Sequence, residues 1–433
     1  MPRSGPQEAG KGHFRSPGGV SRRSSWLPDL TPDGWLLFAT YSVRLIAYGF
    51  ISVILGLYLG ALGYQAGTIG LVFGAAVGGG GVMTALLSWV ADRWGRRRVL
   101  IISALLMAAA GAVFATSTNL VLLLVAAALG TLSPSGSEVG PFLSIEQAML
   151  PQTTADQERT RVFSAYNVVG QGVGAIGSAA AALPALVGAE ALDGYRALMW
   201  AYAAAGVVLA VLFGRLSERV EAPAEGAERR SGFGLRRARG TAAKFAGLYA
   251  LDSLGSGLVV QGLVFYWFNL RFGIDVKGLG AIAVGTDVLA ALSFLAAPWV
   301  AAHVGLLLAA ILPHVISNVL VMAVPLMPSW QLAVGVWLAR YLFAQMERPA
   351  RQSYTMAIVP EAERAAASGV MSVARNAAAA VAPAISGTLL AMPALGLPFF
   401  AAGGIKLVYD GALFGLFRGV HPPEERARRP APD

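Results

Sequence analysis

Apolar runs of about twenty residues, separated by short polar turns, recur along the whole chain. They predict twelve helices over roughly 35–60, 67–90, 97–117, 119–149, 161–187, 194–215, 245–269, 277–300, 305–327, 330–358, 364–391 and 395–417. Each is near or above the ~20 residues that cross a bilayer as an α-helix. The fourth, tenth and eleventh are long and carry Pro or Gly, so kinks are expected there. The pattern is that of an all-α polytopic membrane protein.

Composition agrees with the pattern. Of 433 residues, 56% are hydrophobic and only 13% charged, too little polar surface for a soluble protein of this length. The net charge of +9 sits in turns and tails, so it speaks of topology rather than of a nucleic-acid partner. Cysteine is absent, which excludes disulfides and thiolate metal sites. The four histidines are scattered and suggest no metal. Residues 1–33 have no apolar core of a secretory signal and are expected to be a disordered cytoplasmic tail.

Lysine and arginine assign the two sides. Arg93 to Arg98, Arg159, Arg215 to Lys244, Arg364 and the C-terminal arginines fall on one side, and only Arg196, Arg271 and Lys277 on the other. Positive loops stay cytoplasmic, so both termini are expected inside, in the plasma membrane. The polar stretch 217–243 then divides a first six-helix bundle, 34–216, from a second, 244–418, with 419–433 as a tail.

The halves repeat each other. Arg44 matches Asp252, Gly49 Gly257, Tyr58 Tyr266, Gly70 Gly280, Gly95 Gly305, Glu138 Glu347 and Pro151 Pro360, at offsets of 208 to 210 residues. One match would be chance; a near-constant offset over seven implies two bundles related by a pseudo-twofold axis along the membrane normal, with a site between them at mid-depth. Shared helix punctuation without a site is the blander explanation.

One turn carries a denser signature: Ser88-Trp89-Val90-Ala91-Asp92-Arg93-Trp94-Gly95-Arg96-Arg97-Arg98-Val99-Leu100. It resembles the loop between the second and third helices of major facilitator superfamily transporters, Gly-x-Leu-Ala-Asp-Arg-x-Gly-Arg-Arg-x-x-Leu. Ser88 and Val90 depart from the pattern. The resemblance, extending from about Trp35 to Arg418, implies twelve helices in two pseudo-symmetric bundles and a secondary transporter rather than an enzyme. It also implies a cytoplasmic gate of Asp92, Arg93, Gly95, Arg96 and Arg97. Asp92 would dock on the amino end of the eleventh helix, whose dipole favours a carboxylate, while Arg93 and Arg96 pair with nearby acids. The repeat has Ala302-His303-Val304-Gly305 at this place, so the latch is one-sided.

Ionisable residues within the spans carry the functional expectation, because each costs at least ~2.5–3.5 kcal/mol to insert near the bilayer centre. Arg44, Glu138, Asp252, Asp287, Arg340, Glu347 and Arg375 are such residues, and they must face the interior. Arg44 and Asp252, about eight residues or ~12 Å from the cytoplasmic end, are expected to face each other across the cleft, as a solute site or as a salt bridge closing it. Glu138 lies in Ser133-Pro134-Ser135-Gly136-Ser137-Glu138-Val139-Gly140-Pro141, where loosened backbone implies a cavity and the carboxylate could bind a proton. Tyr48, Gln261, Tyr266, Asp287 and Arg340 complete the candidate solute and proton site. Glu146 and Glu347 are read as structural, the latter paired with Arg340, Arg348 or Arg351. Lys406 and Asp410 are expected to pair on a peripheral twelfth helix, and His314 to be a packed histidine. Gly170, Gly172, Gly174 and Gly177 lie in the fifth helix without a Gly-Pro step and are read as close helix packing.

No Gly-x4-Gly-Lys-Ser/Thr motif occurs, so no nucleotide cofactor is expected and a proton gradient is the expected drive. The expected activity is proton-coupled export of a small organic or amphipathic solute by a monomer whose bundles rock about the site, protonation of Asp252 or Glu138 deciding which face opens. Uptake of a small polar or zwitterionic solute is the alternative, and a non-transporting sensor on the same fold the rival from another class. Organic-phosphate exchangers of the superfamily that the chain resembles carry arginines on both the first and the seventh helix; with Asp252 at one of these places, the resemblance implies a solute that is not strongly anionic.

Overall fold

The computed structural model describes residues 30–137, 140–154, 158–221, 239–359, 363–392 and 396–418. Glu138 lies outside the described residues, as do most of the two expected tails and 222–238 of the stretch between the bundles. The described residues form helices α1 (Pro32–Ala61), α2 (Ala66–Trp94), α3 (Arg96–Thr116), α4 (Leu120–Leu129), α5 (Phe142–Met149), α6 (Arg159–Ala180), α7 (Leu183–Leu186), α8 (Ala191–Gly214), α9 (Arg239–Leu258), α10 (Gln261–Phe272), α11 (Val276–Val304), α12 (Leu306–Ala323), α13 (Trp330–Ala344), α14 (Glu347–Ile358), α15 (Arg364–Leu390) and α16 (Leu397–Phe417). Several starts are capped as the sequence dictates. Thr31 accepts from Gly34 N with Pro32 in the first turn, Asn119 from Val121 N and Asp275 from Gly278 N.

These helices make the twelve spans. Nine stretches are long and apolar enough to cross among the described residues. Three further spans are α4 with α5, the more polar α6, and α13 with α14. Breaks fall at Gly130–Ser137 in the fourth span, at Gln345 and Met346 in the tenth, and at Val259 and Val260 in the seventh. The eleventh, expected to be interrupted, runs unbroken as α15 through Pro383. The seventh breaks instead, and Ser386 of α15 donates to the freed Leu258 carbonyl at 2.6 Å. The two irregular stretches on opposite halves meet: Gly262 N donates to Pro134 O at 3.0 Å. Backbone exposed by a broken helix is thus satisfied by the other half.

The two halves repeat one packing scheme. In the first, α1 packs on α6, α2 on α4 and α3 on α8. In the second, α9 packs on α15, α11 on α13 and α12 on α16. Between halves, α2 packs on α15, α6 on α11, and α1 on α10. Glycines let α2 come close to α15. A Cβ on Gly70 would collide with the Pro383 carbonyl, and Gly74, Gly78 and Gly81 face Ala380, Ala384 and Asn376. This small-residue seam, typical of close helix approach in membranes, seals the halves at the end that holds the α1–α2 turn.

Candidate functional site

Between the halves lies a chamber of about 880 Å³. Its lining runs from Val260, Gln261 and Pro383 at the seam to Arg348 and Ser368 toward the opposite end. The charged groups on its wall are unevenly shared. Among the described residues, Asp252, Asp287, His314, Arg340, Glu347, Arg348, Arg351, Arg375 and Lys406 all belong to the second half. Among the described residues, the first half offers uncharged groups such as Tyr41, Asn167, Gln171 and Ser178.

Asp252, near the middle of the seventh span, is the hub of a connected network. Its Oδ2 accepts from Arg351 at 2.7 Å, and its Oδ1 is 3.4 Å from both Lys406 Nζ and His314 Nε2. His314 Nδ1 lies 2.6 Å from Asp410 Oδ1, and Asn318 donates to the other Asp410 oxygen at 3.2 Å. Arg351 also reaches Glu347 at 3.3 Å and stands 4.9 Å over the Tyr249 ring. Four spans, the seventh, ninth, tenth and twelfth, therefore meet through charge. Each ion has an opposite partner, which is what allows such groups to remain inside a membrane protein.

Several expectations change. Arg44 does not face Asp252. It is fully buried within the first half, where its two terminal nitrogens donate to Glu146 at 3.0 and 2.6 Å. Thr40 and Tyr166 also donate to that carboxylate, at 2.9 and 2.5 Å, and the guanidinium stacks 4.7 Å from the Phe142 ring centre. The physical reason is rotation: α1 turns Arg44 toward α5 rather than toward α9. Tyr48 is buried in the first half away from the chamber, and Tyr266 wedges against Gly56 and Gly60 at the seam rather than lining it. Lys406 and Asp410 do not pair directly; His314 stands between them, so neither it nor the twelfth span is peripheral to the chamber.

Gln261, Asp287 and Arg340 do line the chamber with Asp252. Gln261 Nε2 donates to Ser52 at 3.4 Å and Ser178 donates to Asp287 at 3.3 Å, both across the halves. Asp287 has no cation in contact among the described residues. Arg340 stands 4.7 Å over Trp337 and 5.2 Å over Tyr341. Lys406, His314, Arg351 and Asp410 were within reach of sequence reasoning. Lys406, His314 and Asp410 are polar residues inside apolar runs, Lys406, Asp410 and the His314–Asn318 pair have the four-residue spacing of a single helix face, and Arg351 stands four residues after Glu347 in the polar α14.

At the opposite end, Gly95 has φ +94° and Gly305 φ +83°, so the repeat keeps the same sharp turn. The Asp92 side chain lies outside the described residues. Arg93 stacks 4.0 Å over Trp89 and pairs with no acid among the described residues, and His303 stacks on Trp299 at the equivalent place. The backbone N–H groups of Arg96 and Arg97, the exposed amino end of α3, donate to Glu221 at 2.6 and 3.1 Å. Their guanidinium groups reach the carbonyls of Ala148 and Gly214. The arginine turn is thereby fastened to the start of the stretch that leads to the second half.

Comparison with known proteins places this architecture. The crystal structure of the nucleoside transporter NupG superposes with a TM-score of 0.70 at 14% identity, covering 90% of this chain and 100% of that one. The Escherichia coli xylose transporter XylE gives 0.67 at 13%, covering 91% and 99%. A bacterial homologue of the human lysosomal transporter Spinster, inward-facing, gives 0.69 at 13%, covering 93% and 98%. An uncharacterized membrane protein of Saccharomyces cerevisiae, YJR124C, is 28% identical over 425 residues, 89% of this chain and 94% of its own length. The sequence profile of the Major Facilitator Superfamily matches residues 37–339. Fold, chamber and profile agree: the chain belongs to the Major Facilitator Superfamily and is a secondary transporter, not an enzyme.

Proposed function

We propose that this transporter moves a small organic solute through the inter-half chamber by alternating access, coupled to protons at Asp287. The chamber is sealed at the α1–α2 end and lined continuously toward the arginine turn. With that turn on the cytoplasmic face, as the positive loops favour, the posture is inward-open. The protein is then a plasma-membrane monomer with both termini cytoplasmic, the bundles 34–216 and 244–418 joined by 217–243.

The observation that carries the reading is the contact between Ser178 and Asp287. It joins a hydroxyl of one half to a carboxyl of the other, and no cation among the described residues offsets the acid. A proton on Asp287 removes the cost of its charge and changes how strongly the halves hold together there. Asp252, in contrast, is committed to Arg351, Lys406 and His314, which makes it a positioning group. Export is the direction we assign, with uptake as its alternative.

The test is flux into proteoliposomes with a trapped pH indicator, against a library of small organic solutes in both gradient directions. Wild type should move protons with at least one solute, and Asp287→Asn should exchange that solute without a proton signal or a pH-driven gradient. Solute movement in wild type that is indifferent to pH would overturn the coupling.

A further inference from the structure

The charges on the chamber wall do not cancel. Among the described residues, five cations line it, Arg340, Arg348, Arg351, Arg375 and Lys406, against three carboxylates, Asp252, Asp287 and Glu347. Arg351 and Lys406 are held by Asp252 and Glu347. Arg340, Arg348 and Arg375 contact no carboxylate among the described residues, although Arg348 is close enough to both Arg340 and Arg375, and Arg351 to Arg375, to repel. Arg348 and Arg375 are exposed to the chamber. The Arg340 Nε–H is shut away from solvent and has no acceptor among the described residues. Its guanidinium is held over Trp337 and Tyr341, which fixes the plane of its donor fork.

Uncompensated guanidinium groups gathered around a helix break are costly unless something anionic visits them. We infer that the transported solute carries an anionic group, a carboxylate or a phosphate, which Arg340, Arg348 and Arg375 bind from the second half. The planar fork of arginine suits either oxyanion through paired hydrogen bonds. The described first-half wall, with the neutral side chains of Tyr41, Asn167 and Gln171, faces the rest of the solute. This inference rests on the transport reading above and revises the expectation of a zwitterionic or weakly charged solute. That expectation took Arg44 and Asp252 as the solute-facing pair. Arg44 lies outside the chamber and Asp252 is already neutralised.

The test measures equilibrium binding to the purified protein in lipid nanodiscs, by calorimetry and by thermal stabilisation. Four probes of one skeleton are used: benzoate, phenyl phosphate, benzamide and benzylamine. The anions should bind at least tenfold more tightly than benzamide, and benzylamine should not bind. Arg340→Gln, Arg348→Gln and Arg375→Gln should each weaken the anion at least tenfold, while Arg340→Lys, which keeps charge but loses the fork, should retain part of it. Binding of benzylamine or benzamide as tight as that of the anions, no binding of either anion, or glutamine variants that bind as wild type would each overturn the inference. Because no gradient is applied, the result is independent of proton coupling. Anion binding without any flux would sink the transport reading and leave the anion site standing.

Discussion

Arg44 and Glu146 are joined by two hydrogen bonds, at 3.0 and 2.6 Å, with both side chains wholly shielded from solvent. Thr40 and Tyr166 fill the remaining capacity of the carboxylate, so α1, α5 and α6 are fastened at one point. Removing one partner strands the other charge, which costs about 3–5 kcal/mol in a buried pair. Arg44→Ala and Glu146→Ala should each lower the unfolding temperature in detergent sharply, while the double change to Leu and Met should recover part of the loss. An unfolding temperature unchanged in both single variants would show that the pair contributes little.

Asp252 holds two cations and a histidine, so its loss should be felt first as instability. Asp252→Asn leaves Arg351 and Lys406 facing each other with only Glu347 to offset them. The expected cost is again about 3–5 kcal/mol. Adding Lys406→Met removes one stranded charge and should restore much of the folded yield. A double-mutant cycle read by thermal unfolding measures the coupling; additive effects would refute the direct interaction.

The seam between α2 and α15 depends on absent side chains. Gly387→Val would drive a methyl into the Ala66 carbonyl, and Gly70→Val into that of Pro383. Either should part the seam and expose the chamber at the α1–α2 end. The chain has no cysteine, so Gln261→Cys can serve as the reporter. Its labelling by a membrane-impermeant maleimide from that side should be slow alone and much faster with either glycine change. Equal rates would place the seal elsewhere.

Glu221 caps α3 by accepting from Arg96 N and Arg97 N. Carboxylates at a helix amino end contribute roughly 1 kcal/mol. Glu221→Ala should therefore speed hydrogen exchange of those two amides about fivefold, with no change in amides of α9. Unaltered protection at both would argue that the cap is dispensable.

The sequence made the spans legible because their signal is one-dimensional: apolar length, turn chemistry and positive charge. The observed helices begin and end within a few residues of expectation in most spans. What it could not supply was rotation. Arg44 and Asp252 occupy equivalent positions, yet one turns into its own half and the other onto the chamber wall, since a repeat in backbone does not oblige a repeat in side-chain partners. Pro383 was expected to interrupt the eleventh span but is accommodated within α15, whereas the seventh breaks at two valines that carry no obvious breaking signal. His314, Lys406 and Asp410 are each visible as polar residues in apolar spans, but their convergence on Asp252 depends on how separate spans pack, which no local pattern encodes. The glycines of α2 that line the seam, Gly67, Gly70, Gly74, Gly78 and Gly81, recur every three or four residues, a spacing that none of the expectations above used.

The uneven sharing of charge has an electrical consequence. When the bundles rock, every described ion pair on the chamber wall travels as one piece, because its members ride the same rigid half. No such pair has to be pulled apart to turn the carrier over. The barrier to turnover falls instead on peeling glycine from alanine and on rehydrating a few neutral donors. In the proposed cycle the empty carrier can then reset without separating any described ion pair, and the unpaired arginines of the wall are the protein charges left to feel the field.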